Sequence, residues 1–131
     1  MKFVFNEEKN EERRRMLMMQ PTVEEGKALL AKDDTDAYAW YVYGKALSIQ
    51  KNYEAAIEAH SHGIACDPFY APNYFGRGGK MSVTGRLWSA LADYSMALHL
   101  DSSNWLYWYY RATTLNLAGY LEESIDDLSL I

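Results

Sequence analysis

The side chains in this 131-residue sequence best suited to chemistry are His60, His62, Cys66 and two arginine–aspartate spacings. His60 and His62 are two apart on what reads as a helix, so they leave nearly opposite faces and cannot chelate one ion. His62 and Cys66 share a face, but two ligands fall short of the four that close a structural zinc site. Gly76, Gly78 and Gly79 lie inside a helical pattern, without the strand, loop and helix that a phosphate-cradling glycine run requires. Glu122, Glu123, Asp126 and Asp127 form an acidic run that reads as a solvated face. No nucleophile–base pair emerges. The sequence therefore predicts no catalytic residue, no metal site and no cofactor. Arg77 and Asp93 are sixteen apart, and so are Arg111 and Asp127, whereas Tyr43 and Ala59 hold the matching positions before them. Both charges are absent together, which predicts two structural ion pairs between helices rather than reactive groups.

The elements that would position these residues repeat. The stretch Ala37–Pro68, AYAWYVYGKALSIQKNYEAAIEAHSHGIACDP, reads as two amphipathic helices joined by a turn at Lys51-Asn52. Its pattern returns after 34 residues and again 34 later: Trp40, Tyr74 and Trp108; Gly44, Gly78 and Ala112; Leu47, Met81 and Leu115; Ala56, Ala90 and Ser124. A fixed period of this length marks a helical repeat array. Repeat one spans 37–70, with helices near 37–50 and 53–66; Asn52 suits an N-cap, and Asp67-Pro68 is a stop. Repeat two spans 71–104, with Pro72 in its first helical turn and Gly85 at its internal turn. Repeat three, 105–131, is expected to turn at Gly119-Tyr120 and to end inside its second helix. Solenoid ends usually carry a polar cap. Leu128, Leu130 and Ile131 would instead leave an apolar edge, which predicts either a longer chain or a covering molecule, a second copy included.

Residues 1–20 fall outside this register. Acidic Glu7, Glu8, Glu11 and Glu12 precede Arg13–Arg15, a charge order that favours a helix over Glu7–Gln20. Met16, Leu17 and Met19 give it an apolar end, suited to capping the array or to docking. In 21–36, Thr22-x-x-Glu25 forms a capping box for a helix over Val23–Lys32, whose Val23, Leu29 and Leu30 would pack on repeat one.

Composition narrows the function. The net charge is −5 and no basic run exceeds Arg13–Arg15, which argues against nucleic acid as a partner. The single cysteine allows no intramolecular disulfide. The N-terminus is too polar for a secretory signal and no apolar run approaches a membrane span, so a cytoplasmic protein without membrane partners is expected.

Residues 37–131 resemble the tetratricopeptide repeat family. Trp40-x-x-Tyr43-Gly44-x-x-Leu47 with Ala56, Gly63 and Pro68 matches most of its signature. Tyr74-x-x-Arg77-Gly78-x-x-Met81 with Ala90, Tyr94 and Ala97 follows in phase, then Trp108-x-x-Arg111-Ala112-x-x-Leu115 with Ser124 and Leu128. Departures are His60 in place of a large apolar residue, Gly63 in place of alanine, and Ser102 in place of proline. The resemblance implies an all-α solenoid of three helical hairpins in a right-handed superhelix, preceded by one or two extra helices. It also implies a non-enzymatic protein-interaction scaffold that holds a peptide in a concave groove. Helical spacing on the first helix of each repeat places Tyr38, Tyr41 and Lys45, then Phe75, Gly79 and Ser82, then Leu106, Tyr109, Thr113 and Asn116 on that groove. Its aromatic residues would anchor a partner, unless neighbouring side chains or the N-terminal segment already cover them. Some family members clamp a C-terminal carboxylate here, but the matching Tyr41, Lys45, Gly76, Leu106 and Tyr110 include one cation only, so that specificity is not expected. Helix packing accounts for Gly78 and leaves Gly76 and Gly79 unexplained; Gly79 is a candidate notch for a bulky partner side chain.

Overall fold

Caps and turns divide the chain into helices much as the punctuation residues suggest. In the computed structural model, which describes residues 7–129 and side chains as far as Tyr120, the elements are α1 (Glu7–Met18), α2 (Val23–Lys32), α3 (Ala37–Ile49), α4 (Tyr53–Cys66), α5 (Ala71–Val83), α6 (Leu87–Leu100) and α7 (Trp105–Ser129). Thr22 Oγ1 accepts from the Glu25 N–H at 3.1 Å, opening α2. The Asp36 carboxylate accepts from the Tyr38 N–H at 3.0 Å, opening α3. Asn104 Oδ1 does the same for the Leu106 N–H at 3.2 Å, opening α7.

Two hairpins follow the 34-residue period. α3 pairs with α4, and α5 with α6. Each pair turns on one left-handed residue, Lys51 at φ 61° and Gly85 at φ 83°. Glycine adopts that conformation freely, whereas lysine pays a steric cost. Each turn closes with the same backbone bond, from Asn52 N–H to the Leu47 carbonyl at 2.9 Å and from Arg86 N–H to the Met81 carbonyl at 2.7 Å. Asn52 occupies the N-cap position of α4 but makes no side-chain cap bond. The register aromatics lock the corners before each repeat. Trp40 Nε1 donates to the Asp34 carbonyl at 2.7 Å, Tyr74 Oη to that of Pro68 at 2.9 Å, and Trp108 Nε1 to that of Ser102 at 2.9 Å. In each case the acceptor lies six residues upstream, so one large donor per repeat both fills the helix junction and ties down the loop.

The core runs along the array. Leu47, Ala56 and Ala59 form one cluster with Val23, Trp40 and Tyr43 packed on it. Ala71, Tyr74, Ala97, Leu98 and Tyr107 form another across the second and third repeats. The Arg77 guanidinium meets Asp93 in a two-pronged contact, Nε to Oδ2 at 2.9 Å and Nη2 to Oδ1 at 2.8 Å, joining α5 to α6. Its Nη1 reaches back to Ser61 Oγ on α4 at 3.2 Å.

The third repeat departs from expectation. α7 continues unbroken from Trp105 to Ser129, with no turn at Gly119-Tyr120. Gly119 does not adopt the left-handed backbone that closes the other two hairpins, and buried Ala118 packs on Leu87 and Leu91 of α6. A helical glycine costs up to about 1 kcal/mol against alanine, less than unpacking that contact. In a continuous helix positions 111 and 127 are about 24 Å apart along the axis, too far for the expected ion pair. Arg111 instead stacks over the Trp108 ring at 4.7 Å and points Nη1 at Ser95 Oγ, 3.4 Å away. The side chains of Asp127 and Leu128, and residues Leu130 and Ile131, lie outside the described residues, as does the apolar edge expected there.

Candidate functional site

The face made by α3, α5 and the start of α7 is aromatic because tyrosine and phenylalanine recur on it at helical spacing. Phe75 is its centre. Its ring lies 4.8 Å from Tyr107, 5.2 Å edge-on from Tyr110 and 5.8 Å from Tyr94. Tyr41 lies beside it in the floor, buried to 7% exposure and edge-on to Tyr70. Burial pushes the Tyr41 hydroxyl up to about 12.

This face is covered. α1 crosses it, fastened at both ends. At one end Arg13 Nη2 pairs with Asp101 at 2.6 Å and donates to Ser103 Oγ at 2.9 Å, while Lys9 meets the same carboxylate at 3.1 Å. At the other end Lys45 Nζ donates to the carbonyls of Met16 and of Leu17, the latter at 3.1 Å. A lysine on the free carbonyls of a helix C-terminus is favourable both as a cap and against the helix dipole. No residue of α1 is buried, so it spans the groove without filling it. Beneath it lies a cavity of about 430 Å³.

Of the residues assigned to the groove by spacing, Tyr41, Lys45, Phe75 and Leu106 line this cavity. Tyr38, Gly79, Ser82, Tyr109, Thr113 and Asn116 do not. Tyr38 Oη faces Met19 Sδ at 3.8 Å, Tyr109 is 58% exposed, and Thr113 Oγ1 donates to the Tyr110 carbonyl at 3.1 Å. A side chain at Gly79 would meet only Tyr94 Oη, at 3.9 Å. Ile49, His60, Pro72, Lys80 and Tyr107 belong to the lining as well.

His60 is the principal residue that sequence reasoning missed. It is 1% exposed, and a Cβ added at Gly44 or at Gly76 would stand 2.7 Å or 2.5 Å from its ring. Packing therefore explains Gly76, contrary to expectation: α3 and α5 close on a flat imidazole from α4. Asn73 Nδ2 donates to the Ala37 carbonyl at 3.0 Å. That bond turns Asn73 Oδ1 toward His60 Nδ1, 2.9 Å away, so Nδ1 carries the ring's proton. Gly63 makes room for Asn73, since a Cβ there would lie 2.3 Å from Nδ2. The signal was present in the sequence: His60 and Gly63 are two departures from the repeat pattern, three residues apart on one helix. Burial, reinforced by the charges of Lys80 and Arg77 and opposed by the Asn73 bond, pulls the imidazole down to about 4. Lys45 and Lys80 are both shifted down by burial, Lys45 also by the charge of Lys80.

The fold is an all-α helical repeat, consistent with a tetratricopeptide-like arrangement, with two regular hairpins and a single long helix in third place. Solved structures share it. A chain described as "Crystal structure of MamA protein", a tetratricopeptide-containing protein, superposes with a TM-score of 0.68 at 22% identity. The match covers 82% of this chain and 58% of that one, so this chain spans little more than half its length. No protein-family model matches, and no curated protein matches the sequence. Among the described residues no helix is long and apolar enough to cross a membrane.

Proposed function

We propose that this protein is a non-catalytic interaction scaffold that receives an apolar segment of a protein partner on the face of α3, α5 and α7. The observation that supports this reading is the aromatic floor of Tyr41, Phe75 and Tyr107 under a helix that leaves a cavity above it. Large rings at the bottom of a desolvated recess are the usual anchoring elements of an interface. Tyr38 and Tyr109, exposed beyond the cavity, extend the same face. The partner either shifts α1 aside or lays its side chains beneath it.

Capture from a native lysate tests this. Ile49→Arg/Leu106→Arg places two charges on the lining without touching the buried rings. Trp88→Arg, at a 58% exposed position on α6, serves as control. A protein recovered by wild type and by the α6 variant, but lost from the lining variant with its helical spectrum intact, supports the reading. Equal recovery by all three refutes it.

A further inference from the structure

The protein is acidic overall, with a net charge of −5, yet the cavity under α1 is not. Among the described residues its lining holds four cationic side chains, Arg13, Arg14, Lys45 and Lys80, and no carboxylate. Asp101 neutralises Arg13 from outside the lining. Lys45 is spent on neutral carbonyls, and Lys80 forms no ion pair among the described residues. Removing a cation from water without a counter-charge is costly, and here two half-buried ammonium groups repel each other across one recess. Neutral polar groups of Asn10, Ser48, His60 and Asn104 share the lining, and the rest of the wall is apolar and largely flat, led by the rings of Tyr41, Phe75 and Tyr107. The volume, about 430 Å³, falls in the range of small-molecule pockets. The roof is attached mainly through polar contacts at its ends, which suits a site that must open to load.

We propose that this cavity binds a small amphipathic organic anion, a single carboxylate or sulfonate on a flat apolar body. The anionic group lies against Lys45 and Lys80, and the body stacks on Tyr41, Phe75 and Tyr107. The ligand supplies the counter-charge that the described lining lacks and fills the space that α1 leaves. This site does not depend on the partner-binding reading.

Isothermal titration of the full chain with 1-naphthaleneacetate, beside its neutral analogue 2-(1-naphthyl)ethanol, tests it. Saturable one-site binding of the acid is expected, with the alcohol at least about tenfold weaker, as loss of one charge-assisted contact implies. Raising the salt concentration weakens the acid alone. Lys80→Gln narrows the gap between acid and alcohol severalfold, Lys80→Arg restores it, and Lys51→Gln on the distant α3–α4 turn changes nothing. Absence of saturable acid binding, or equal affinity of wild type for acid and alcohol, overturns the proposal. So does a Lys80→Gln chain whose preference for the acid matches that of wild type. The comparison of two ligands on wild type holds even where a variant fails to fold. Because no protein partner is present, failure here leaves the scaffold reading standing, and failure of the capture experiment leaves this one.

Discussion

Lowering the pH from 7 to 5 is expected to remove about 2 kcal/mol of folding stability through His60 alone. The folded imidazole is held down to about 4 from an ordinary 6.5, chiefly by burial. It is enclosed by the backbones of Gly44 and Gly76, with its Nδ1 proton given to Asn73. A base whose pKa is lower in the folded state takes up protons more readily when unfolded, so acid favours unfolding. The penalty is absent well above 6.5, grows as pH falls below it, and levels off below about 4. At pH 5 the unfolded ring is almost fully charged and the folded ring almost fully neutral. At about 1.4 kcal/mol for each pH unit below the unfolded value, the loss is about 2 kcal/mol. That is a large share of a typical stability of about 5–15 kcal/mol. The assay is urea denaturation at both pH values for wild type and His60→Gln, which keeps a donor for Asn73 but cannot titrate. The variant is less stable at pH 7 and loses less on acidification, and the difference between the two losses isolates His60 from the carboxylates and from His62 and His99. If both chains lose the same stability within about 0.5 kcal/mol, the buried neutral imidazole is refuted.

Two glycine substitutions should move stability in opposite directions. Gly76→Ala drives a Cβ to 2.5 Å from the His60 ring and is expected to cost about 1–3 kcal/mol despite alanine's better helix propensity. Gly119→Ala meets nothing within 4 Å inside a continuous helix and is expected to add up to about 1 kcal/mol; a loss at that position in thermal denaturation would argue for a turn there instead. Arg13→Ala removes the contacts to Asp101 and Ser103 that pin α1. The α1 amides should then exchange about fivefold faster with solvent, a change of about 1 kcal/mol in local opening, while those of α4 and α6 stay unchanged.

Much of the scaffold was legible in the sequence because it rests on short-range rules. The period of Trp40, Tyr74 and Trp108 marks the repeats, and the structure shows each of these residues tying down the corner before it. Thr22 and Gly85 announce a helix start and a turn through local hydrogen bonding and backbone freedom, which depend on few neighbours. The spacing of Arg77 and Asp93 follows from two helices of fixed length joined by a short turn. The same reasoning failed at Gly119, where a turn signal met a helix already anchored by Ala118 on Leu87 and Leu91. Tertiary packing outweighs a local preference worth no more than about 1 kcal/mol.

The site was legible only in part, for a related reason. Periodicity places Tyr41, Lys45, Phe75 and Leu106 on one face, because residues three and four apart on a helix must share it. It cannot say which of those rings is buried, since exposure depends on what crosses above, and α1 arrives from outside the register. The partnership of His60 with Gly44, Gly76 and Asn73 joins three helices through contacts with no common sequence spacing. The uneven charge of the cavity also arises only when Arg14 of α1, Lys45 of α3 and Lys80 of α5 are brought together. The sequence by itself determined a helical array and the face that it presents. The tertiary structure decided where that array stops repeating, what covers the face and which charges meet beneath the cover, because these depend on long-range packing that no local pattern encodes.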